Sequence, residues 1–162
     1  MEDVAGRAGM SRQALYRYVS GREDLVELAI IERCREFATQ LIAETDPQSG
    51  DVVDMMVDLM MRTIKAARND EEFSYLAEAT PRVRLNKVLA SENSPVHSLV
   101  SDCFTAAFDE AERQGLLRVD VTRREMTTWL QGILTILAAR VDQDTSEQRR
   151  FVREFAVRGL LK

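Results

Sequence analysis

The chain has 162 residues, of which 22 are lysine or arginine and 27 are aspartate or glutamate, so its formal net charge is −5. A charged fraction of 30% and a mean hydropathy of −0.25 are typical of a soluble globular protein and argue against a membrane-embedded or disordered chain. Seven glycines and three prolines are few for a fold of strands joined by tight turns, so the composition favours helices.

The charge is unevenly distributed along the chain. Residues 4–22 contain four arginines and no acidic residue, which gives this segment a charge of +4 and leaves −9 for the rest of the chain. A basic segment attached to an acidic body is typical of a binding module joined to a larger domain. The acidic total therefore does not exclude nucleic acid as a partner.

Apolar residues recur at helical spacing along the chain, and no segment predicts a strand. The first helix covers residues 1–8 and ends at Gly9. The second helix begins after Ser11, a favourable N-cap, and reaches about Val19. A long helix then spans about 22–44 and is followed by a loop, 45–50, that contains Pro47 and Ser49.

Six further helices are predicted beyond this loop. The helix at about 51–67 is apolar on most sides and is therefore expected to be surrounded by other helices. Shorter helices follow at about 73–79 and 81–91. Longer ones follow at about 96–114 and 122–141, with Val141 closing the latter, and the last helix starts at a Thr145 or Ser146 cap and runs to about Leu161.

The polar residues do not predict an enzyme or a metal protein. Cys34 and Cys103 are too far apart in sequence for a zinc pair or a redox CxxC motif, so we expect buried thiols of a reducing compartment, with a disulfide as the less favoured alternative. His97 is the only histidine and is expected at the surface. We therefore expect no catalytic site, no metal and no cofactor.

No secretory signal or membrane segment is predicted. The N-terminal residues contain no apolar run. The longest uncharged apolar stretch, residues 126–139, is too short to cross a bilayer. We therefore expect a cytoplasmic protein without a membrane partner.

The first two helices and the turn at Gly9 form a candidate helix-turn-helix. Leu15 and Val19 point inward, and the residues expected to pack around them are Val4, Ala5, Ala8 and Met10. Arg12 and Gln13 remain outside, and both residue types make bidentate contacts to base edges in the major groove of DNA. A solvated basic helical hairpin explains the same pattern about equally well.

The segment MEDVAGRAGMSRQALYRYVSGREDLV, residues 1–26, resembles the helix-turn-helix of TetR-family transcriptional regulators. Ala5, Ala8, Gly9 and Ser11 match the turn, Leu15 and Tyr16 match the family's Leu-Tyr pair, and Tyr18 and Arg22 match its phosphate contacts. Departures from the pattern are Met10, Ala14, Val19 and Gly21. The family's first helix precedes this motif, so we expect the helix-turn-helix unit to be incomplete at its N-terminus.

The resemblance implies an all-α fold with a helix-turn-helix DNA-binding head at residues 1–21 and a helical effector-binding and dimerisation body at residues 22–162. It also implies a sequence-specific transcriptional regulator, a repressor that a small apolar effector releases from a double-stranded DNA operator. The alternative is a helical dimeric interaction or ligand-sequestering module without DNA binding. The implied DNA-binding residues are Ser11, Arg12, Gln13, Ala14, Tyr16, Arg17, Tyr18 and Arg22.

Two further sets of residues are expected in the body. The effector is expected to contact an apolar set, although ordinary core packing explains the same residues: Met56, Met60, Phe73, Phe104, Phe108 and Trp129. The last two long helices are expected to form the homodimer interface, with burial inside one chain as the alternative for residues 126–139. The expected interface residues are Trp129, Ile133, Ile136, Leu137, Phe151 and Phe155.

Overall fold

The computed structural model describes residues 1–45, 51–140 and 144–162. Most of the predicted loop, including Pro47 and Ser49, and the helix-closing Val141 lie outside the described residues. Within these ranges the chain forms helices and a single antiparallel bridge between Leu117 and Leu161. The predicted all-α fold class is confirmed. No helix in the described ranges is both long and apolar enough to span a membrane.

The described residues form nine α-helices, close to the predicted ones. In chain order they are α1 (Glu2–Arg7), α2 (Arg12–Leu15), α3 (Arg22–Ala43), α4 (Val52–Asn69), α5 (Glu71–Glu78), α6 (Arg82–Ala90), α7 (Pro95–Arg113), α8 (Arg123–Ala138) and α9 (Thr145–Phe151). A π-helical turn, Val152–Val157, and a 3₁₀ turn, Arg158–Leu160, continue α9.

Local signals set the turn between α1 and α2. Gly9 has a φ of 65°, a left-handed conformation that glycine adopts without a steric penalty. The Ser11 hydroxyl accepts a hydrogen bond from the Ala14 N–H at 3.1 Å, which confirms the predicted N-cap. α2 is shorter than predicted because the N–H groups of Arg17 and Tyr18 bond to carbonyls three residues earlier, which tightens the chain into a turn.

Few side chains hold these two helices together. Ala5, Leu15 and Val19 are buried, and Met1 and Leu25 pack against them. The prediction that Val4, Ala8 and Met10 also pack in this core was wrong. They are exposed because the short α2 covers only one turn of α1.

α4 lies at the centre of the body, as predicted. Seven of its side chains are buried, and they contact α7, α8 and the π-helical turn. α3 packs along α7 and also contacts α4, α5 and α6. Because its neighbours change along its length, its apolar residues are not all buried: Leu28 and Ile42 are about half exposed, whereas Ile30 is fully buried.

The end of the chain differs from the predicted continuous helix. Asp144, rather than Thr145 or Ser146, caps α9, because its carboxylate accepts hydrogen bonds from the N–H groups of Ser146 (2.6 Å) and Glu147 (3.4 Å). The π-helical turn then widens the backbone and buries three of its side chains: Val152, Ala156 and Val157. Ion pairs from Arg149 to Asp58 and from Arg153 to Asp54 hold this segment against α4.

A capping box begins α8 and provides a test of the fold. The Thr122 hydroxyl accepts a hydrogen bond from the Glu125 N–H at 3.2 Å, and the Glu125 carboxylate accepts one from the Thr122 N–H at 2.7 Å. We expect Thr122→Ala to lower the free energy of unfolding by about 1 kcal/mol, measured by urea denaturation at one fixed protein concentration.

Thr105→Ala is the matched control for this cap. Thr105 is exposed within α7, and its hydroxyl donates only to the Ser101 carbonyl one turn earlier. We expect its substitution to change the free energy of unfolding by less than about 0.5 kcal/mol. Equal losses for the two variants would contradict a stabilising role for the Thr122 cap.

Candidate nucleic-acid interface and ligand cavity

The outer face of α2 and of the turn that follows it presents the polar side chains that the sequence predicts for DNA contact. Arg12, Gln13 and Arg17 are exposed, and Tyr16 and Tyr18 are 42% and 75% exposed. They lie outward because Leu15 and Val19 take the buried positions of the same turn. Of the predicted set, Ser11 and Arg22 are also exposed, whereas Ala14 is half-buried.

The Arg12 guanidinium lies over the Tyr16 ring, with its carbon 5.6 Å from the ring centroid. This cation–π contact holds the arginine at the start of α2 without neutralising its charge. Its N–H donors remain available to an acceptor outside the protein. The arrangement suits recognition of a guanine edge or a phosphate.

The arginines of the first 22 residues differ electrostatically from those of the body. In the described ranges, no carboxylate lies within ion-pair distance of Arg7, Arg12, Arg17 or Arg22. By contrast, eleven of the fifteen arginines of the body each have an acidic partner: Arg33, Arg35, Arg62, Arg84, Arg113, Arg118, Arg123, Arg124, Arg149, Arg153 and Arg158. The positive charge of the first 22 residues therefore remains uncompensated by local partners.

An apolar cavity of about 90 Å³ lies inside the body. α3 contributes Phe37 and Leu41, α4 contributes Ile64, and α7 contributes Val100 and Phe104 to its wall. Among the described residues no charged side chain lines it, and its few polar side chains there are thiols, hydroxyls and one amide: Cys34, Cys103, Thr63, Thr135 and Gln131. The cavity suits an uncharged apolar group.

Two of the six predicted effector-binding residues, Phe73 and Phe104, line this cavity. Met56, Met60 and Phe108 are at most 2% exposed and lie in the adjoining core, where other side chains cover them. Trp129 is 46% exposed and borders a separate surface depression beside the 3₁₀ turn. The sequence could not distinguish wall residues from core residues, because both types are apolar and lie on inward helix faces.

Sequence reasoning missed a buried polar group beside the cavity. The Nδ1 of His97 and the Oε1 of Gln131 lie 2.8 Å apart, and the Gln131 amide donates to the Leu89 carbonyl at 2.8 Å. His97 is only 9% exposed, so its predicted surface position was wrong: the pairing with Gln131 gives the buried Nδ1 a hydrogen-bond partner. The signal in the sequence for this buried polar group is Gln131, a glutamine within the apolar stretch 126–139.

The predicted dimerisation residues are divided between the surface and the core. Trp129, Ile136 and Phe155 are 46%, 54% and 64% exposed, whereas Ile133 and Phe151 are half-buried. These five residues lie on α8 and on the segment from α9 into the π-helical turn. The indole N–H of Trp129 on α8 connects the two by donating a hydrogen bond to the Ala156 carbonyl at 3.0 Å. The sixth, Leu137, is 1% exposed because it packs inward against the main core.

Both cysteines are free thiols on the cavity wall. Burial raises the pKa of Cys34 to about 12. Burial, with a smaller effect of the Asp102 charge, raises the pKa of Cys103 to about 11. Since the thiolate is the reactive form, both side chains are held in their unreactive form at neutral pH.

This burial makes a testable difference to thiol chemistry. Relative to an ordinary thiol, the thiolate fraction at pH 8 is about a thousandfold lower for Cys34 and about a hundredfold lower for Cys103. We expect alkylation by iodoacetamide, followed by mass spectrometry, to be slowed at least to this extent and to accelerate about tenfold per pH unit up to pH 10. Ordinary rates should return in urea. Alkylation of the folded protein as fast as that of free cysteine would contradict the burial of these thiols.

Comparisons with known proteins give no match in sequence and a similar solved structure. No model of a known protein family matches the chain, and no curated protein sequence matches it. Among solved structures, the chain is similar to the crystal structure of a TetR transcriptional regulator from Streptomyces coelicolor. The identity is 25%, the match covers 99% of this chain and 86% of that one, and the TM-score is 0.45.

Proposed function

We propose that this protein is a sequence-specific DNA-binding regulator of transcription of the TetR type. In this proposal residues 1–21 bind a double-stranded DNA operator, and residues 22–162 bind a small apolar effector and dimerise. The observation that carries it is the set of arginines without acidic partners in the described structure, beside the exposed face of α2. An uncompensated cationic surface of this kind suits a polyanionic partner.

The exposed side chains of α2, of the turn after it and of the start of α3 suit two kinds of DNA contact. Arg12 and Gln13 stand at the start of the helix, the part of a recognition helix that meets base edges, and their fork-shaped groups suit guanine and adenine. Tyr16, Tyr18 and Arg22 suit phosphates, which fix the register of the protein on the duplex. The acidic body is held away from the DNA in this arrangement.

A homodimer would give the two heads a defined spacing. Exposed apolar side chains on α8 and the last segment support such an interface, because Trp129, Ile136 and Phe155 leave a large apolar area in water in a single chain. Two recognition helices separated by about 34 Å reach successive major grooves on one face of DNA. Dimerisation would therefore double the DNA contact without enlarging either head.

α6 supports a mechanical connection between the cavity and the head. At its C-terminal end, the Leu89 side chain lines the cavity, and the Leu89 carbonyl accepts hydrogen bonds from Gln131 and Thr135 of α8. Towards its N-terminal end, Arg84 forms ion pairs with Glu23 (2.9 Å) and Glu27 (2.7 Å) in the first turns of α3. A shift of α6 would therefore move the helix that follows the head.

The proposed regulation follows from this connection. An effector that enlarges the cavity displaces α6, α6 tilts α3, and the spacing of the two heads changes so that the operator is released. The effector acts only through a difference in its affinity for the two arrangements. The protein is a repressor in this proposal.

The decisive experiment for the DNA-binding proposal is a mobility-shift assay with the DNA upstream of the protein's own coding sequence. We expect Arg12→Ala to weaken specific binding by about 1–3 kcal/mol if the side chain reads a base. Tyr18→Phe, which removes a proposed phosphate contact, should weaken binding to all sequences more uniformly. Affinity should fall steeply with salt.

Arg113→Ala is the matched control for Arg12→Ala. Arg113 lies near the C-terminal end of α7, its side chain is 71% exposed, and its partner Glu110 is on the same helix. The substitution makes the same change in net charge, so we expect unaltered DNA affinity. Two results would refute the proposal that α2 recognises a DNA sequence. One is binding without sequence preference at any salt concentration, and the other is an equal effect of the two substitutions.

The dimer is tested by placing a charge on its proposed surface. We expect Ile136→Asp to shift the protein towards monomer in sedimentation equilibrium, because a carboxylate would be desolvated at the interface. Val83→Asp is the control, since Val83 is 83% exposed near the N-terminal end of α6, whereas α6 bonds to α8 through Leu89 at its other end. A monomeric parent protein, or a dimer indifferent to Ile136→Asp, would refute this interface.

A further inference from the structure

A polar cleft adjoins the apolar cavity and shares part of its wall. The cleft lies between α3 and α4 and has a volume of about 530 Å³. Phe37 and Leu41 line both spaces, so the cavity and the cleft meet at these two side chains. The carbon of the Arg33 guanidinium lies 5.4 Å from the centroid of the Phe37 ring, which places a charged group where the two spaces meet.

The acidic side chains around the cleft already have partners. Glu36 and Asp70 both accept hydrogen bonds from Arg33. Glu44 accepts hydrogen bonds from Arg62 at 2.5 Å and from Gln40 at 2.8 Å. A cationic ligand would therefore have to displace an existing arginine contact.

Lys65 is different. It lines the cleft and is exposed, and in the described parts of the chain no carboxylate pairs with it. Since each of the described acidic side chains that line the cleft is paired with an arginine, the uncommitted charge among the described residues there is positive. An anionic group entering the cleft would gain a partner without breaking one.

We infer that the effector is an amphiphile whose short aliphatic chain fills the apolar cavity and whose carboxylate lies in the cleft against Lys65. This inference rests on the proposed function and adds the chemical class of the ligand. A cavity of about 90 Å³ is smaller than the roughly 150 Å³ cavity that binds benzene in another protein, so it suits about three or four carbons of a chain rather than a ring.

Isothermal titration calorimetry with straight-chain carboxylates from butanoate to decanoate tests the inference. Each methylene that enters the cavity should tighten binding about fourfold, and the gain should stop once the cavity is full, near hexanoate. The matched probes are the 1-alkanols and the alkylamines of the same lengths. Carboxylates should bind more tightly than either.

Two variants locate the ends of the ligand. Lys65→Gln should weaken carboxylate binding about two- to fivefold, as expected for an exposed ion pair, and leave alkanol binding unchanged. Lys162→Gln, the same substitution at the exposed last residue, is its control. Ala67→Leu fills the cavity, so it should remove the dependence on chain length, with circular dichroism showing that the variant is folded.

The outcomes separate this inference from the proposed function. If alkanols bind as tightly as carboxylates and Lys65→Gln has no effect, the carboxylate is refuted while an apolar effector stands. If alkylamines bind best, the acidic side chains of the cleft dominate, and the inference is overturned. If no probe binds, the inference fails, and the mobility-shift assay still decides whether the protein binds DNA.

Discussion

The burial of α4 fixes the arrangement of the body. Seven of its side chains are buried against α7, α8 and the π-helical turn, so each of these elements is positioned by contact with the same helix. Ion pairs of Asp54 and Asp58 with Arg149 and Arg153 add a polar attachment at one edge. The cavity exists where α3 spans from α4 to α7 and small residues such as Ala38 and Ala67 leave space between them.

Charge placement separates the two proposed roles of the chain. The body has eleven arginines with acidic partners, so its basic side chains are largely committed to its own surface. The four arginines of residues 4–22 lack such partners in the described structure. Under the proposed function, the pairing of eleven of the fifteen body arginines lowers the competition between body and head for DNA, while the net charge of the chain stays negative.

The sequence was sufficient where a feature depends on neighbouring residues. Gly9 and Ser11 predicted the turn because their roles depend on the local backbone and the next few N–H groups. The outer face of α2 followed from Leu15 and Val19 in the same way. Features that join distant segments were not predictable: the His97–Gln131 pair connects residues 34 apart in sequence, and only the packed structure brings them together.

Helical spacing also does not determine which of two adjacent apolar residues faces outward. Ile136 is 54% exposed and Leu137 is 1% exposed, although both are large and aliphatic. Which of them is buried depends on the angle at which α8 meets α4, a property of the whole bundle. The cavity is less predictable still, because it is defined by side chains that fail to fill a space rather than by those that do.

The free energy of binding of the proposed effector is large enough for the allosteric coupling that release of the operator requires. Three or four buried methylenes stabilise a complex by about 2.4–3.2 kcal/mol, and an exposed ion pair adds up to about 1 kcal/mol. Only the difference in the effector's binding free energy between the two arrangements of α6 contributes to release of the operator. Allosteric coupling of 1–3 kcal/mol changes an affinity about 5- to 150-fold. A ligand that gains most of its apolar contact only when α6 has moved therefore supplies enough free energy, and the two ion pairs from Arg84 to α3 transmit the movement rather than having to supply it.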